Sequence, residues 1–200
     1  MSTPTIFSDV CGSQSSFLSN STVLSWARTE SSNASLPLDL VLAQWIAEGA
    51  NVCSASSCKC NNPANAGYGT FARSGCAQSY TTDYQCSSNP PFASVGTALY
   101  GAEMIAAVYN AGFCQVAQAF QNSSLTAGGQ ELYDYAKNNH FTILQNGTYN
   151  AAYALGVSGW DGTGDYQASN YGGATPSTVA GSAIIYFIEA NNLSGYDSIA

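Results

Sequence analysis

The chain has 200 residues, of which 46% are hydrophobic, so it is long enough and apolar enough to fold around a core. Only 8% of the residues are charged, and the net charge is −8 with four basic residues. So few cations cannot form a basic patch, which excludes binding to nucleic acid through its phosphates and docking to anionic membranes. No run of 18 apolar residues occurs, so no membrane insertion is expected.

The chain begins with a serine-rich stretch that shows little periodicity. We expect an N-terminal extension over residues 1–20, followed by one domain over residues 21–200. Residues 1–7 lack the basic start and apolar core of a secretory signal, so export would require a leader already removed or another route. A first short helix is expected over Thr22–Arg28.

Glu48 is the most informative residue of the next helix. Pro37 and Gly49 mark the start and the end of a helix over residues 38–48. Val41, Trp45 and Glu48 recur at i, i+4 and i+7, so they share one face. A carboxyl on an apolar face loses hydration, which raises its pKa and suits a general acid. The alternative is a glutamate at the helix end that points into water.

Residues 50–92 carry most of the cysteines, a Gly/Asn/Pro-rich run at 61–69 and no lasting periodicity. We expect an irregular lobe held by disulfides, with short strands near residues 68–71 and 79–84. The disulfide candidates are Cys11, Cys53, Cys58, Cys60, Cys76, Cys86 and Cys114. A zinc site is the alternative, but Cys58 and Cys60 are too close for the usual pair of ligands and the sole histidine, His140, is distant in sequence.

The spacing of the cysteines does not fix their connectivity. As a hypothesis we take two bridges inside residues 53–86 and one between Cys11 and Cys114, which leaves one thiol free or bonded to a second chain. Disulfides indicate an oxidising compartment, so we expect a protein that is secreted or at the cell surface. Glycosylation triplets agree with this expectation. They stand at Asn20, Asn33, Asn122, Asn146 and Asn192.

Helical periodicity returns after residue 92. Ala98, Ala102, Ile105 and Tyr109 share one face of a helix that ends at Ala111–Gly112. Further helices are expected over residues 115–121, 129–138, 149–155 and 178–191, with a Gly/Asp/Tyr loop at 156–173. The sequence therefore predicts a mainly α fold, a helical body with a small disulfide-rich, loop-rich lobe at about 50–92. A groove between lobe and body is where a polymer could lie.

Three segments occur in an order typical of one enzyme family. They are Ala43–Gly49, the pair Asn61–Asn62 followed by Gly67, and Ala154–Trp160 followed by Tyr166. Over roughly residues 22–195 their order and spacing resemble the lysozyme-like glucosaminidases, the bacterial cell-wall N-acetylglucosaminidases of the autolysin type. The resemblance implies a lysozyme-like α+β fold, cleavage of a peptidoglycan-like polysaccharide, and Glu48 as catalytic acid. We expect no cofactor and no metal.

Glycosidases usually add a second carboxylate that attacks the sugar or activates water. Residues 49–95 offer only Asp83 for this role, since Glu103 is expected on a helix. Otherwise the acetamido group of the substrate could act as nucleophile, or Glu48 could serve as both acid and base, as in lytic transglycosylases. The family also has a catalytic tyrosine near the cleft, and Tyr166, Tyr171 or Tyr68 could fill that role.

The aromatic residues of the late loop are candidates for stacking on sugar rings, and they are Trp160, Tyr166 and Tyr171. Tyr68 and Asn62 are the further substrate-binding candidates. The run Asp161–Asp165 has some likeness to a calcium loop but lacks the spacing and the final glutamate of an EF-hand, so we expect a turn.

Two functions are compatible with these features. The first is an extracellular glycoside hydrolase or lyase that cleaves an N-acetylhexosamine polymer, an endo-N-acetylglucosaminidase or muramidase-like enzyme. The second is a catalytically inactive, lysozyme-like surface protein with a structural, adhesive or self-assembling role in a coat, a filament or another homo-oligomer. Low charge, many Tyr and Asn residues and an odd number of cysteines would suit the second function.

Overall fold

Nine α-helices and four very short strands make up the regular structure of the described residues. The computed structural model describes residues 3–82, 84–86, 92–162, 164–172 and 174–200, and it is about 51% helical, including short 3₁₀ segments. The helices are α1 (Gln14–Leu18), α2 (Ser21–Ala34), α3 (Leu38–Ala47), α4 (Ser56–Lys59), α5 (Ala98–Gly112), α6 (Cys114–Phe120), α7 (Ala127–Asn138), α8 (Asn146–Gly156) and α9 (Ser182–Ala190). The strands are β1 (Thr70–Phe71), β2 (Tyr80–Thr81), β3 (Tyr84–Gln85) and β4 (Ala93–Ser94). The predicted mainly α fold with a disulfide-rich lobe is confirmed.

Polar residues at the helix starts explain where several helices begin. Asn20 caps α2, because its Oδ1 accepts hydrogen bonds from the backbone N–H groups of Thr22 (2.9 Å) and Val23 (3.4 Å). Thr97 and Thr126 cap α5 and α7 in the same way. Each cap satisfies an amide that has no partner within its own helix.

Helix α3 runs through the centre of the core. All residues from Leu38 to Ile46 are buried, so this helix is covered on every side rather than along one stripe. It packs against α2 and α9, while α2 packs on α5 and α8 packs on both α6 and α7. Gly49 has a φ of 77° directly after Glu48 and ends the helix as expected. The helix thus places Glu48 where the core meets the lobe.

The N-terminal segment belongs to the core. Phe7 and Phe17 are fully buried, and the Phe7 ring lies edge-on to Trp26 and to Trp45, with centroids 5.2 Å apart in both pairs. Burying a phenylalanine side chain contributes about 1.5–3 kcal/mol. The predicted N-terminal extension over residues 1–20 therefore does not describe this segment. Two isolated aromatic residues anchor it in the core, and such a pair produces no periodicity that the sequence could display.

Three disulfides hold the lobe and connect it to the body. They join Cys11 to Cys53, Cys60 to Cys86 and Cys76 to Cys114, and Cys58 is a buried free thiol. The hypothesis of a bridge from Cys11 to Cys114, with two bridges inside residues 53–86, is wrong. The bonded partners lie 26 to 42 positions apart, so the fold of the lobe selects them and the local spacing does not.

The strands of the lobe form two small antiparallel sheets. In the first, β1 pairs with β2, so that Thr70 lies opposite Thr81 and Phe71 opposite Tyr80. In the second, β3 pairs with β4. The strands expected near residues 68–71 and 79–84 therefore exist as β1 and β2, shortened to two residues each.

The remaining helices lie near the ranges predicted from periodicity, but several of their ends are shifted. Helix α2 extends well beyond the expected Thr22–Arg28, and α8 extends beyond residues 149–155 at both ends. Helix α9 starts later than the expected residue 178, because Gly181 has a φ of 83° and interrupts the helical backbone. Within the described ranges, no helix combines the length and the apolar character that crossing a bilayer requires.

The glycosylation triplets differ in their exposure. Asn33, Asn122 and Asn192 are exposed, whereas Asn20 and Asn146 are partly buried. Asn146 also donates from Nδ2 to the carbonyl of Ser123 (2.9 Å). The first three are therefore the accessible candidates.

Candidate active site

The Glu48 carboxyl lies between the end of α3 and the lobe, and the residue is partly exposed. Its Oε1 accepts a hydrogen bond from the Tyr166 hydroxyl (2.5 Å), and its Oε2 accepts one from Nδ2 of Asn65 (2.9 Å). The Glu48 carbonyl accepts from Nδ2 of Asn65 (3.1 Å) and from Oγ of Ser57 (2.8 Å). Residues of the lobe therefore hold both the side chain and the backbone of Glu48 in place.

A line of hydrogen bonds behind Tyr166 sets the direction of its hydroxyl group. The Tyr109 hydroxyl donates to Oε1 of Gln44 (2.6 Å), and Nε2 of Gln44 donates to the Tyr166 hydroxyl oxygen (3.3 Å). Because that oxygen already receives a donor, its own proton points to Glu48. Tyr109, Gln44 and Tyr166 are all buried, so water does not compete for these groups.

Close backbone packing fixes the loop that carries Tyr166. Gly156 ends α8 and Gly181 precedes α9. A Cβ on Gly156 would lie 2.4 Å from the Gly181 nitrogen, and a Cβ on Gly181 would lie 2.2 Å from the Ala152 carbonyl oxygen. The N–H of Ala183 then donates to the Tyr166 carbonyl (2.7 Å). Side chains at these two glycines would push the helices apart and displace Tyr166.

Burial raises the pKa of Glu48 above its usual value of 4.5. The hydrogen bonds from Tyr166 and Asn65 act in the opposite direction, and the negative charge of Asp161 raises the pKa further. The C-terminal end of α3 adds to the effect of burial, because the negative end of a helix dipole disfavours a carboxylate. Burial, followed by the charge on Glu48, also raises the pKa of Tyr166, so its hydroxyl remains a donor.

Two other carboxyls have raised pKa values but no access to solvent. Glu30 and Asp39 are fully buried, burial raises the pKa of both, and the charge of Asp197 adds to the effect at Asp39. Glu30 accepts a hydrogen bond from the Trp45 indole N–H (2.9 Å). A ligand cannot reach either group. Of these three described carboxyls, Glu48 is the accessible one.

Two surface depressions lie beside the residues that surround Glu48. The first, of about 200 Å³, is lined by Asn65, Ala66, Gly67, Phe71, Val108, Phe113, Gly159 and Trp160. The second, of about 550 Å³, is lined by Asp161, Gly164, Asn170 and Tyr171. Asn65 connects the first depression to Glu48 by a direct hydrogen bond. The second is connected through Tyr171, whose ring stacks on that of Tyr166 at a centroid distance of 6.1 Å.

Trp160 and Tyr171 were predicted from the sequence to stack on sugar rings. Both are partly exposed, and they line the first and the second depression, respectively. The Trp160 ring stacks on Tyr109 at a centroid distance of 4.7 Å, and its Nε1 donates to the Ala64 carbonyl (2.7 Å). Tyr171 lies nearly parallel to Tyr166, with an interplanar angle of 18°. Both rings are therefore held in place before any ligand arrives.

Other residues selected from the sequence are not placed to bind a sugar. Asn62 is fully buried, and its Nδ2 donates to the carbonyls of Ala66 (2.9 Å) and Ala93 (3.0 Å), so it holds the lobe together instead. Tyr166 is fully buried too, so it cannot stack on a sugar and contacts Glu48 instead. Tyr68 is 44% exposed but lines neither depression. Asp83 lies outside the described residues.

Three residues of the site were not selected from the sequence, namely Gln44, Asn65 and Tyr109. Gln44 precedes Glu48 by one helical turn, so helical spacing could have identified it. Asn65 meets Glu48 across 17 positions and Tyr109 meets Gln44 across 65, and no local pattern indicates either contact.

No family model, no curated protein and no solved structure matches this chain. The geometry around Glu48 is therefore the main basis for a proposal about function.

Proposed function

We propose that the protein is an extracellular glycoside hydrolase or lyase that cleaves an N-acetylhexosamine polymer such as peptidoglycan, with Glu48 as general acid. The observation that carries this proposal is a partly exposed carboxyl whose pKa is raised by burial and whose oxygens are bound by Tyr166 and Asn65. The resemblance of three sequence segments to the lysozyme-like glucosaminidases supports the same assignment.

The arrangement of donors suits an acid that must release its proton. Both Glu48 oxygens already accept a hydrogen bond from a protein donor, so the proton of the neutral carboxyl is left to a ligand oxygen. When the proton passes to the glycosidic oxygen, Tyr166 and Asn65 stabilise the carboxylate that remains. A hydrogen bond to a charged group contributes about 1.5–3 kcal/mol, so the two donors favour the charged product of this step.

The surroundings of Glu48 suit an uncharged carbohydrate. Trp160 and Tyr171 offer ring faces beside the two depressions, and aromatic rings are the usual apolar surface for pyranose rings. The chain has four basic residues in all, so recognition must depend on hydroxyl, amide and aromatic groups rather than on ion pairs with an anionic polymer.

The disulfides support a location outside the cell. Three bridges are present, and such bonds persist in oxidising compartments. The exposed triplets at Asn33, Asn122 and Asn192 are compatible with secretion.

The test compares Glu48→Gln with Glu103→Gln, an exposed glutamate on α5 that serves as matched control. Soluble fragments released from purified cell-wall sacculi and from chitooligosaccharides would be measured by chromatography, together with the thermal unfolding midpoint. We expect Glu48→Gln to lose about 10²–10⁴-fold in rate without losing stability, because proton transfer contributes that much. Glu103→Gln should match the wild type.

Full activity in Glu48→Gln would refute Glu48 as the acid. If the wild type releases no fragments from either substrate and forms regular fibres in electron microscopy, the inactive surface protein becomes the better account. The buried position of Cys58 already removes one argument for self-assembly, since this thiol is not exposed to a second chain.

A further inference from the structure

We propose that Asp161 is the second catalytic carboxylate, the base that takes a proton from the attacking water. The inference rests on the proposed function, because it assigns the other half of the same reaction. Asp161 lies on the loop between α8 and α9 and lines the larger depression together with Tyr171. It is partly exposed, so water can reach it.

One tyrosine holds both carboxyl groups. The Tyr166 hydroxyl donates to Oε1 of Glu48 (2.5 Å), while the Tyr166 backbone N–H donates to Oδ2 of Asp161 (3.2 Å). The two carboxyls are therefore bound to opposite ends of the same residue, with the length of its side chain between the two hydrogen bonds. This favours the separation of about 6.5–9.5 Å found in inverting glycosidases over the about 5–5.5 Å of retaining ones.

The loop around Asp161 is tightly built. The Gly164 N–H donates to the Asp161 carbonyl (3.0 Å), and a Cβ on Gly164 would lie 2.3 Å from Oδ2 of Asp161. A side chain at Gly164 would therefore require the Asp161 carboxylate to move. Oδ2 accepts from the Tyr166 N–H, and the Tyr171 side chain forms a hydrogen bond with the same carboxylate. A carboxylate has about four lone-pair positions, so the partly exposed group can still accept from a water molecule in the depression.

Three other carboxyls, those of Glu30, Asp39 and Asp165, fit this role less well. Glu30 and Asp39 are fully buried, so water has no access to them. Asp165 is on the same loop, but no described hydrogen bond connects its carboxylate to Tyr166 or to Glu48. The negative charge of Asp161 also raises the pKa of Glu48.

The reaction then balances in one step. The Glu48 proton moves to the glycosidic oxygen, and the bond between that oxygen and the anomeric carbon breaks with its electron pair on the leaving oxygen. The water oxygen forms a bond to the anomeric carbon from the opposite face, and one water proton passes to Asp161. Because the attack is direct, the configuration at the anomeric carbon inverts.

The test uses Asp161→Asn with Asp165→Asn as matched control on the same loop. Asparagine keeps an oxygen that can accept from the Tyr166 N–H, so the loop should hold its shape while the base is lost. With chitooligosaccharides as substrate, we expect Asp161→Asn to lose about 10²–10⁴-fold in kcat with little change in KM. Asp165→Asn should behave as wild type.

Two further measurements separate a base from a structural residue. Sodium azide should restore turnover to Asp161→Ala by forming a glycosyl azide, because azide attacks without losing a proton. NMR of the first product should show an inverted anomer in the wild type. Wild-type rates in Asp161→Asn, no effect of azide on Asp161→Ala, or a retained anomer would overturn the role of Asp161 and leave Glu48 as acid untouched. A wild type that cleaves neither substrate would overturn both proposals.

Discussion

Replacing Tyr166 by Phe removes one oxygen atom and should raise the pKa of Glu48. The Tyr166 hydroxyl donates to Oε1 of Glu48 at 2.5 Å, and this bond lowers a pKa that burial has raised. A hydrogen bond to a charged group contributes about 1.5–3 kcal/mol, and one pKa unit corresponds to about 1.4 kcal/mol. Losing this bond should therefore raise the pKa of Glu48, because the ionised form loses about 1.5–3 kcal/mol of stabilisation. Asn65 still donates to Oε2 in the variant.

The pKa can be measured without any knowledge of the substrate. The chain contains five glutamates, so protein labelled with ¹³C at the glutamate carboxyl gives few signals to follow by NMR as the pH is changed. Glu48→Gln identifies the Glu48 signal by its disappearance. Tyr109→Phe is the matched control, because it removes a buried hydroxyl that contacts Gln44 and not Glu48. Its effect on the Glu48 pKa should be clearly smaller.

The Tyr166→Phe variant should also lose stability. Without the Tyr166 hydroxyl, Nε2 of Gln44 loses its acceptor in a buried position, which costs about 1–3 kcal/mol. An unchanged or lowered Glu48 pKa in Tyr166→Phe would refute the role given to this hydroxyl. Equal shifts in Tyr166→Phe and Tyr109→Phe would refute the directional chain of hydrogen bonds.

Two further predictions concern stability. Glu30 has its pKa raised by burial, so the unfolded chain releases this proton near pH 4.5 while the folded state retains it. The free energy of unfolding should therefore fall as pH rises above about 4.5, by up to about 1.4 kcal/mol per unit from this group, and urea titrations of Glu30→Gln should show a smaller slope. Gly101→Ala should destabilise the fold by about 1–3 kcal/mol, because the new Cβ would lie 1.9 Å from the Asn61 carbonyl oxygen. Gly96 has open space around it, so Gly96→Ala should have the melting temperature of the wild type. Equal slopes in the first experiment, or equal melting temperatures for the two alanine variants in the second, would contradict these accounts.

Much of the helical fold could be predicted because its cause is local. Ala98, Ala102, Ile105 and Tyr109 repeat at helical spacing, and α5 covers the expected range with its end at Gly112. Proline before α3 and glycine after Glu48 likewise fixed the bounds of that helix to within one residue. These signals depend on neighbours within a few positions, so the sequence displays them directly.

The features that escaped prediction depend on distant parts of the chain. Phe7 packs against Trp45, and Cys76 pairs with Cys114, across 38 positions in each case. The Glu48 site has the same character, because Tyr166 reaches Glu48 across 118 positions. The order of segments placed Tyr166 near the site, but only the fold shows that the residue is buried. Because Tyr166 is buried, its ring has no face on which a sugar could stack, and its hydroxyl donates a hydrogen bond to Glu48 instead.

Burial sets both the chemistry of the site and the pH dependence of the fold. Glu30, Asp39 and Glu48 are all desolvated, and each has a raised pKa for that reason. As pH rises, a desolvated carboxyl either ionises at a cost or keeps a proton that the unfolded chain has released, so each of the three weakens the fold. One oxygen of Glu30 and one oxygen of Asp39 have no hydrogen-bond partner, whereas both Glu48 oxygens have side-chain donors suited to its ionised form. Two side-chain donors stabilise the ionised form of a carboxyl, and packing alone does not require them. Their presence at the accessible carboxyl favours proton transfer there over a passive structural role.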